Sequence, residues 1–133
     1  MVASPQSNAR SIHRFEDLDR FRVLYPPNDS AIRPLVARML ISKGIPLFSN
    51  RIETASAAFG RALTLADPNI VWVISRGVVL GDIEEGRLVR LQIDTGPTVG
   101  AVGIMSIADD VPTHAIRAFS SALIRVANRY AEA

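Results

Sequence analysis

The sequence contains no cysteine, so disulfide bonds, thiolate nucleophiles and cysteine-based zinc sites are excluded. Its two histidines, His13 and His114, are far apart and have no partners at metal-ligand spacing, which argues against a metal site. Long hydrophobic runs are also missing: no stretch of about eighteen apolar residues exists, and residues 1–11 are polar. We therefore expect a cytoplasmic protein with no membrane segment, no secretory signal and no cofactor.

Lysine is scarce, because Lys43 is the single lysine beside fourteen arginines. The 15 basic and 13 acidic residues give a formal net charge of +2 and a pI of about 9.7. The arginines of residues 10–22 are interspersed with acidic residues and form no basic stripe that would follow a phosphate backbone. We therefore expect no direct nucleic-acid contact by this chain. P-loop, G-x-G-x-x-G and G-x-S-x-G motifs are absent as well.

Apolar residues make up 48% of the 133 residues, which is enough for the core of one domain. Short apolar or alternating runs predict strands over residues 22–25, 50–55, 69–75, 87–93 and 101–107. Helical spacing predicts helices over residues 32–40, 56–66 and 112–131, with single helical turns over 15–21 and 78–83. Residues 1–14 are interpreted as an arm or loop. Strands alternating with helices predict an α/β fold with a mixed, mainly parallel sheet flanked by helices.

Polar residues cluster where three predicted strands end. The candidate ligand-binding residues are Asn28, Asp29, Ser30, Thr54, Ser56, Ser75 and Arg76. Parallel strands end at one edge of a sheet, where open α/β sheets bind ligands and helix N-termini offer free N–H groups. One small polar ligand would contact all three clusters, with Arg76 paired to a carboxylate. The alternatives are a redundant helix cap for residues 28–30, and a surface position or an internal ion pair for Arg76.

The tripeptide Asp94-Thr95-Gly96 follows an apolar run and resembles the active-site turn of retroviral-type aspartic proteases. In those enzymes two chains each donate one aspartate to a shared-proton dyad. They are nearly all-β, whereas half of this chain is predicted to be helical, and the same tripeptide is ordinary loop composition. A dimeric protease that uses Asp94 is therefore an alternative, and we expect no enzymatic activity.

Three segments resemble the effector-binding domain of LysR-type transcriptional regulators. They are "EDLDRFRVLYPPNDSAIRPLVARMLISKGI", "NRIETASAAFGRALTLADPNIVWVISRGVV" and "GRLVRLQIDTGPTVGAVGIMSI". The phrases "SRGVV" and "VRLQIDT", the latter followed by "VGAVGI", are most similar to regulators of protocatechuate (pca) operons and of a galactose-binding protein. The resemblance covers roughly residues 16 to 130.

The resemblance implies a fold like type II periplasmic binding proteins, with two α/β subdomains joined by crossing strands around an effector cleft. Residues 1–14 would be a hinge remnant that starts with the tail of the first crossing strand, "MVASPQ". Residues 15–94 would be the second subdomain, and residues 95–133 a returning hinge strand and C-terminal helix. The first subdomain, the DNA-binding helix-turn-helix and its linker helix are expected to lie outside this chain. The first helix of the second subdomain would point its N-terminus, with residues 28–30, into the cleft.

The implied function is effector sensing that controls transcription. The effector would be a small carboxylate or, as the next possibility, a sugar or sugar acid. DNA would be contacted only through the missing helix-turn-helix. A stripe of apolar residues at near-heptad spacing, formed by Ile116, Phe119, Leu123, Val126 and Tyr130, predicts a homo-oligomer through residues 112–131. A structural or oligomerisation module without a ligand is the remaining alternative.

Overall fold

A computed structural model of the chain describes residues 1–100, 103–107 and 111–131. The chain divides into two compact units, Met1–Val99 and Gly100–Ala133, and each is described by itself. No helix in the described ranges is long and apolar enough to cross a membrane.

The first unit contains one five-stranded sheet. Its strands are β1 (Val2–Ala3), β2 (Arg22–Tyr25), β3 (Arg51–Glu53), β4 (Ile70–Trp72) and β5 (Val89–Arg90). Its helices are α1 (Arg33–Ser42), α2 (Ala57–Ala66) and α3 (Arg76–Glu84), with short 3-10 helices at Asn8–Ser11, Phe15–Arg20 and Gly96–Thr98. Most predicted elements are therefore present. Of the strand predicted over residues 87–93, only Val89–Arg90 forms a strand. The helical turn predicted over residues 78–83 is part of the longer helix α3.

The strand order in the sheet is β3-β2-β4-β1-β5. Strand β2 pairs in parallel with both β3 and β4, whereas β1 pairs antiparallel with both β4 and β5. Four strands therefore run in one direction and β1 in the other. The prediction of a mixed, mainly parallel sheet flanked by helices is confirmed.

Strand β1 falls where the apolar pattern of residues 1–14 predicts an arm or loop, whereas the resemblance to LysR-type regulators places the tail of a crossing strand there. Val2 and Ala3 are buried between β4 and β5, and Ala9 is buried in the 3-10 helix that follows. Two residues are too few to show an alternating pattern, so the sequence alone gives no strand signal there. The first residues thus form an internal strand of the sheet, between β4 and β5.

The two faces of the sheet pack against different helices, which gives three layers. Val23, Tyr25 and Val71 point to one face, where they form a cluster with α1 and the 3-10 helix at Phe15–Arg20. Leu24 and Trp72 point to the other face, with side chains of α2 and α3. Strand β4 is apolar throughout, as expected for a central strand that is buried on both faces.

A proline and a glycine mark the two ends of α1. Pro34 lies in the first turn, where its missing N–H removes no intrahelical bond. Gly44 has φ +67 directly after the C-cap residue Lys43, a conformation that favours glycine. The helix thus stops where the chain turns back towards β3.

The second unit contains one helix, α4 (His114–Ala131), as predicted from residue 112 onwards. Residues 103–107 have no regular structure, so the predicted strand over residues 101–107 is wrong for that part, while residues 101–102 lie outside the described residues. Glycine at position 103 weakens strand formation there. Ile116, Phe119, Leu123 and Val126 of the apolar stripe are all exposed, and the side chain of Tyr130 lies outside the described part.

Candidate functional site

The carboxyl ends of β3, β2 and β4 lie side by side at one edge of the sheet. Tyr25 is paired with Glu53, and Leu24 with Trp72. Backbone hydrogen bonds continue the pairing beyond the strands: Thr54 N donates to Tyr25 O at 3.1 Å, and Val73 N donates to Leu24 O at 2.9 Å. Neighbouring strands are about 4.8 Å apart, so three consecutive strand ends lie within about 10 Å. The structure therefore brings the three polar clusters to one edge.

The cluster after β2 forms a turn. Ser30 N donates to Pro27 O at 3.0 Å, and Arg33 N donates to Ser30 O at 3.1 Å. Asn28 and Asp29 are exposed and Ser30 is half-buried. The helix-cap alternative for these residues is wrong, because the N-cap of α1 is Ile32, which makes no side-chain capping bond. Residues 28–32 thus belong to a turn before the helix, and the first N–H of α1, that of Arg33, is satisfied by the backbone oxygen of Ser30.

In the cluster after β3, the hydroxyl oxygens of Thr54 and Ser56 each accept a hydrogen bond from the backbone. Ser56 is the N-cap of α2, as predicted, and its Oγ accepts from Phe59 N at 3.2 Å. Thr54 Oγ1 accepts from Ser56 N at 3.1 Å. These bonds fix the positions of the two oxygens while leaving both hydroxyl protons available. Thr54 is half-buried and Ser56 is exposed, so both can donate to a ligand at this edge.

The cluster after β4 is open to solvent. Ser75 is the N-cap of α3 but makes no side-chain capping bond, and both Ser75 and Arg76 are exposed. The first N–H groups of a helix have no intrahelical acceptor. Gly77 leaves open space there, since a Cβ on it would meet nothing within 4 Å. Arg76 forms no salt bridge with the described residues, so it is a surface arginine and not part of an internal ion pair.

Two other arginines at this edge are already matched by a carboxylate. Glu53 Oε1 lies 3.0 Å from Arg51 Nε and 3.2 Å from Arg33 Nη1. The hydrogen bond from Arg51, followed by that from Arg33, holds the pKa of Glu53 below its usual value. Sequence analysis missed this cluster, although Arg51 and Glu53 at i and i+2 share one face of a strand. Arg76 differs from these two arginines, because it has no carboxylate partner in the described part of the chain.

Asp94 lies in a structural turn. Its Oδ2 accepts from Lys43 Nζ at 2.8 Å, and its Oδ1 accepts from Gly96 N at 2.9 Å. The hydrogen bond from Lys43 is the main cause of a pKa below the ordinary aspartate value. A carboxyl group of a protease dyad must instead share a proton with its partner. This geometry favours an ionised, structural role for Asp94 and gives the protease alternative no support.

A shallow depression elsewhere on the first unit contains none of the candidate residues. Its lining is Arg90, Leu91, Gln92, Ile93 and Asp94, and its volume is about 390 Å³. Leu91 and Ile93 are buried beneath it in the core. Within the described ranges, no group of three or more histidine or acidic side chains is close enough together to hold a metal ion.

The fold and the strand-end site define a class of protein. Residues 1–128 match the LysR substrate binding domain, so the chain belongs to that family, with a fold of the type II periplasmic-binding-protein kind. The chain is similar to the HTH-type transcriptional regulator PcaQ of Agrobacterium fabrum (strain C58 / ATCC 33970) and to that of Rhizobium radiobacter. Each is 43% identical over 99 residues, which cover 74% of this chain and 32% of the relative. The chain thus spans about a third of these relatives. No solved structure matches significantly.

Proposed function

We propose that the chain is the effector-sensing part of a LysR-type transcriptional regulator and that it binds a small carboxylate without catalysing a reaction. The observation that carries the proposal is the adjacency of three strand ends, each followed by exposed or half-buried polar groups. Membership of the LysR substrate-binding family supports it. No catalytic group is required for this function.

Each candidate residue has a chemical role in this proposal. Arg76 pairs with the effector carboxylate, helped by the uncapped N–H groups that begin α3. Ser30, Thr54, Ser56 and Ser75 donate hydrogen bonds from their hydroxyl groups, and Asn28 donates from its side-chain amide. Asp29 repels an anion, so it accepts from an effector hydroxyl group instead. A hydroxylated organic acid satisfies this set best, and a sugar or sugar acid is the second candidate.

The proposed regulation is a population shift. Effector bound at this edge would favour one arrangement of an oligomeric regulator on DNA. Residues 15–94 would form one wall of the cleft as the second subdomain. Residues 1–14 and 95–133 would belong to the hinge and the C-terminal helix. The relatives are named as HTH-type regulators, and we infer that DNA is bound by such a segment in the cytoplasm and not by this chain.

A second candidate function is an oligomerisation module without a ligand. It is favoured by the exposed apolar side chains of α4. The exposed apolar side chains of α4 fit either function, since an effector-sensing domain within an oligomer would also use that surface. The strand-end residues bind a ligand only if the chain senses an effector, so a binding measurement distinguishes the two functions.

Isothermal titration of 3,4-dihydroxybenzoate, succinate and galactose tests the proposal, with the 133-residue chain and with the complete reading frame that contains it. We expect saturable binding of at least one carboxylate by the wild type. Arg76→Met should weaken that binding by roughly 10- to 100-fold, because a charge-assisted hydrogen bond contributes about 1.5–3 kcal/mol. Arg38→Met, on the exposed surface of α1, is the matched control and should bind like the wild type. Binding unchanged by Arg76→Met would contradict the proposed site.

A further inference from the structure

Arg33, in the first turn of α1, makes three contacts at the end of β2. Its Nη1 donates to Pro26 O at 2.6 Å and lies 3.2 Å from Glu53 Oε1. Its Cζ lies 4.6 Å from the centroid of the Tyr25 ring. The side chain is only 16% exposed, which is low for an arginine so close to the surface. The guanidinium group is therefore fixed on three sides.

The contact with Pro26 closes the base of a loop. The β2–α1 loop, defined here as residues 26–32, carries Asn28, Asp29 and Ser30. Inside it, Ser30 N donates to Pro27 O, and Arg33 N donates to Ser30 O. Both the backbone and the side chain of Arg33 thus hold the loop, while its tip stays exposed.

Glu53 is a rigid anchor for this closure. It lies on β3 opposite Tyr25, and Arg51 Nε holds its carboxylate at 3.0 Å. Arg51 Nη1 in turn donates to Phe48 O at 3.0 Å. The chain of contacts therefore runs from the sheet to the loop: Phe48, Arg51, Glu53, Arg33 and Pro26. A loop fixed in this way loses little conformational entropy when a ligand orders its side chains.

We propose that Arg33, anchored by Glu53, is a positioning residue that holds the β2–α1 loop in the geometry that binds effector. Arg33 acts through the loop and is distinct from Arg76, which pairs with the ligand. The part of this proposal that concerns ligand affinity rests on the proposed function. The part that concerns loop order stands without it.

Amide hydrogen exchange measured by NMR tests loop order without any ligand. Arg33→Met removes both polar contacts but leaves Glu53 paired with Arg51. We expect exchange of the Ser30 amide to accelerate about tenfold, because a hydrogen bond from a charged donor is lost. The amides of Val23 and Val73, which donate within the sheet region, should not change. Arg38→Met is the control, and Arg33→Lys should restore part of the protection. Unchanged Ser30 exchange, or equal acceleration of all three amides, would overturn the positioning role.

A second measurement links loop order to affinity. For 3,4-dihydroxybenzoate or succinate, whichever the wild-type protein binds, Arg33→Met should raise Kd about tenfold, whereas Arg38→Met should leave Kd within about twofold. An unchanged Kd together with faster Ser30 exchange would overturn the link to the ligand. If neither probe binds to the wild type, the proposed function fails, and the exchange experiment still decides whether Arg33 holds the loop.

Discussion

Asp82 is a carboxylate buried inside the first unit and held by two arginines. Its side chain is 3% exposed. Arg61 Nε donates to Oδ2 at 2.8 Å, and Arg87 Nε donates to Oδ1 at 2.9 Å. Since Arg61 is in α2, Asp82 in α3 and Arg87 in the segment before β5, one side chain ties three elements together. A buried charge is tolerated because its hydrogen bonds replace those of water.

Replacing Asp82 by asparagine should lower the free energy of unfolding by about 1–3 kcal/mol at neutral pH, because Arg61 loses its counter-charge and Arg87 keeps only that of Glu85. The hydrogen bond from Arg61 is the main cause of a folded-state pKa of Asp82 below the usual aspartate value. The stabilisation by Asp82 is therefore present above the unfolded pKa of about 3.9 and is lost as pH falls through the lower folded pKa. Urea unfolding at several pH values, with Asp19→Asn as an exposed control, measures this. An Asp82→Asn difference that does not shrink at acid pH would contradict the assignment.

At the scale of elements, α2 packs directly on the sheet through a glycine. A Cβ at Gly60 would lie 2.5 Å from Cε2 and from Cζ2 of Trp72, so the indole of β4 occupies the space that any side chain would need. Thr64, one turn later, is fully buried and donates to Gly60 O at 2.7 Å. This close approach sets the distance between α2 and the sheet, and with it the position of Ser56 at the start of the helix.

Gly60→Ala should destabilise the chain by about 1–3 kcal/mol through overpacking, despite the better helix propensity of alanine. Gly81 provides the matched control, because it lies inside α3 and a Cβ there would meet nothing within 4 Å. Gly81→Ala should therefore stabilise the chain by roughly 0.5–1 kcal/mol. Thermal or urea unfolding compares the two variants. A change in the free energy of unfolding with the same sign in both variants would show that the contact between Gly60 and Trp72 does not limit packing.

Elements with a strong local pattern were predictable, and contacts between distant residues were not. The apolar run of β4 and the helical spacing of α1 and α2 were sufficient to place those elements. Strand β1 could not be predicted from the pattern, because two residues are too few to show the alternation of a strand. The site edge followed from the parallel direction of the strands, but the Arg33–Glu53 contact depends on which strands become neighbours. That neighbour relationship is decided by tertiary packing and leaves no local signal in the sequence.

At the scale of the whole molecule, the apolar stripe of α4 suggests association. Phe119 is 65% exposed, and Ile116, Leu123 and Val126 are exposed beside it. Fully burying such side chains is worth about 1.5–3 kcal/mol each. We predict a homodimer centred on α4, seen as a dimer in sedimentation experiments with the wild-type chain. A folded wild-type monomer would contradict the prediction.

Phe119→Glu combined with Leu123→Glu should dissociate this dimer or unfold the helix, because two charges would be placed in the apolar contact. The matched control is Ser121→Glu combined with Asn128→Glu, which adds the same charge to the opposite face of α4. Sedimentation and circular dichroism together follow association and helix content. Equal dissociation by both pairs would attribute the effect to net charge and not to the stripe.

If this edge of the sheet binds a small carboxylate, the backbone amides around it should respond to the ligand, and mapping of amide chemical shifts by NMR measures that response. Titration of the ¹⁵N-labelled chain with 3,4-dihydroxybenzoate, and separately with succinate, reports every backbone N–H at once. We predict that the amides of residues 28–30, 54–57 and 75–77 shift together with a common saturation curve, while those of residues 90–94 stay in place. Shifts confined to other surfaces, or no saturable shift at these three strand ends with either acid, would contradict the account.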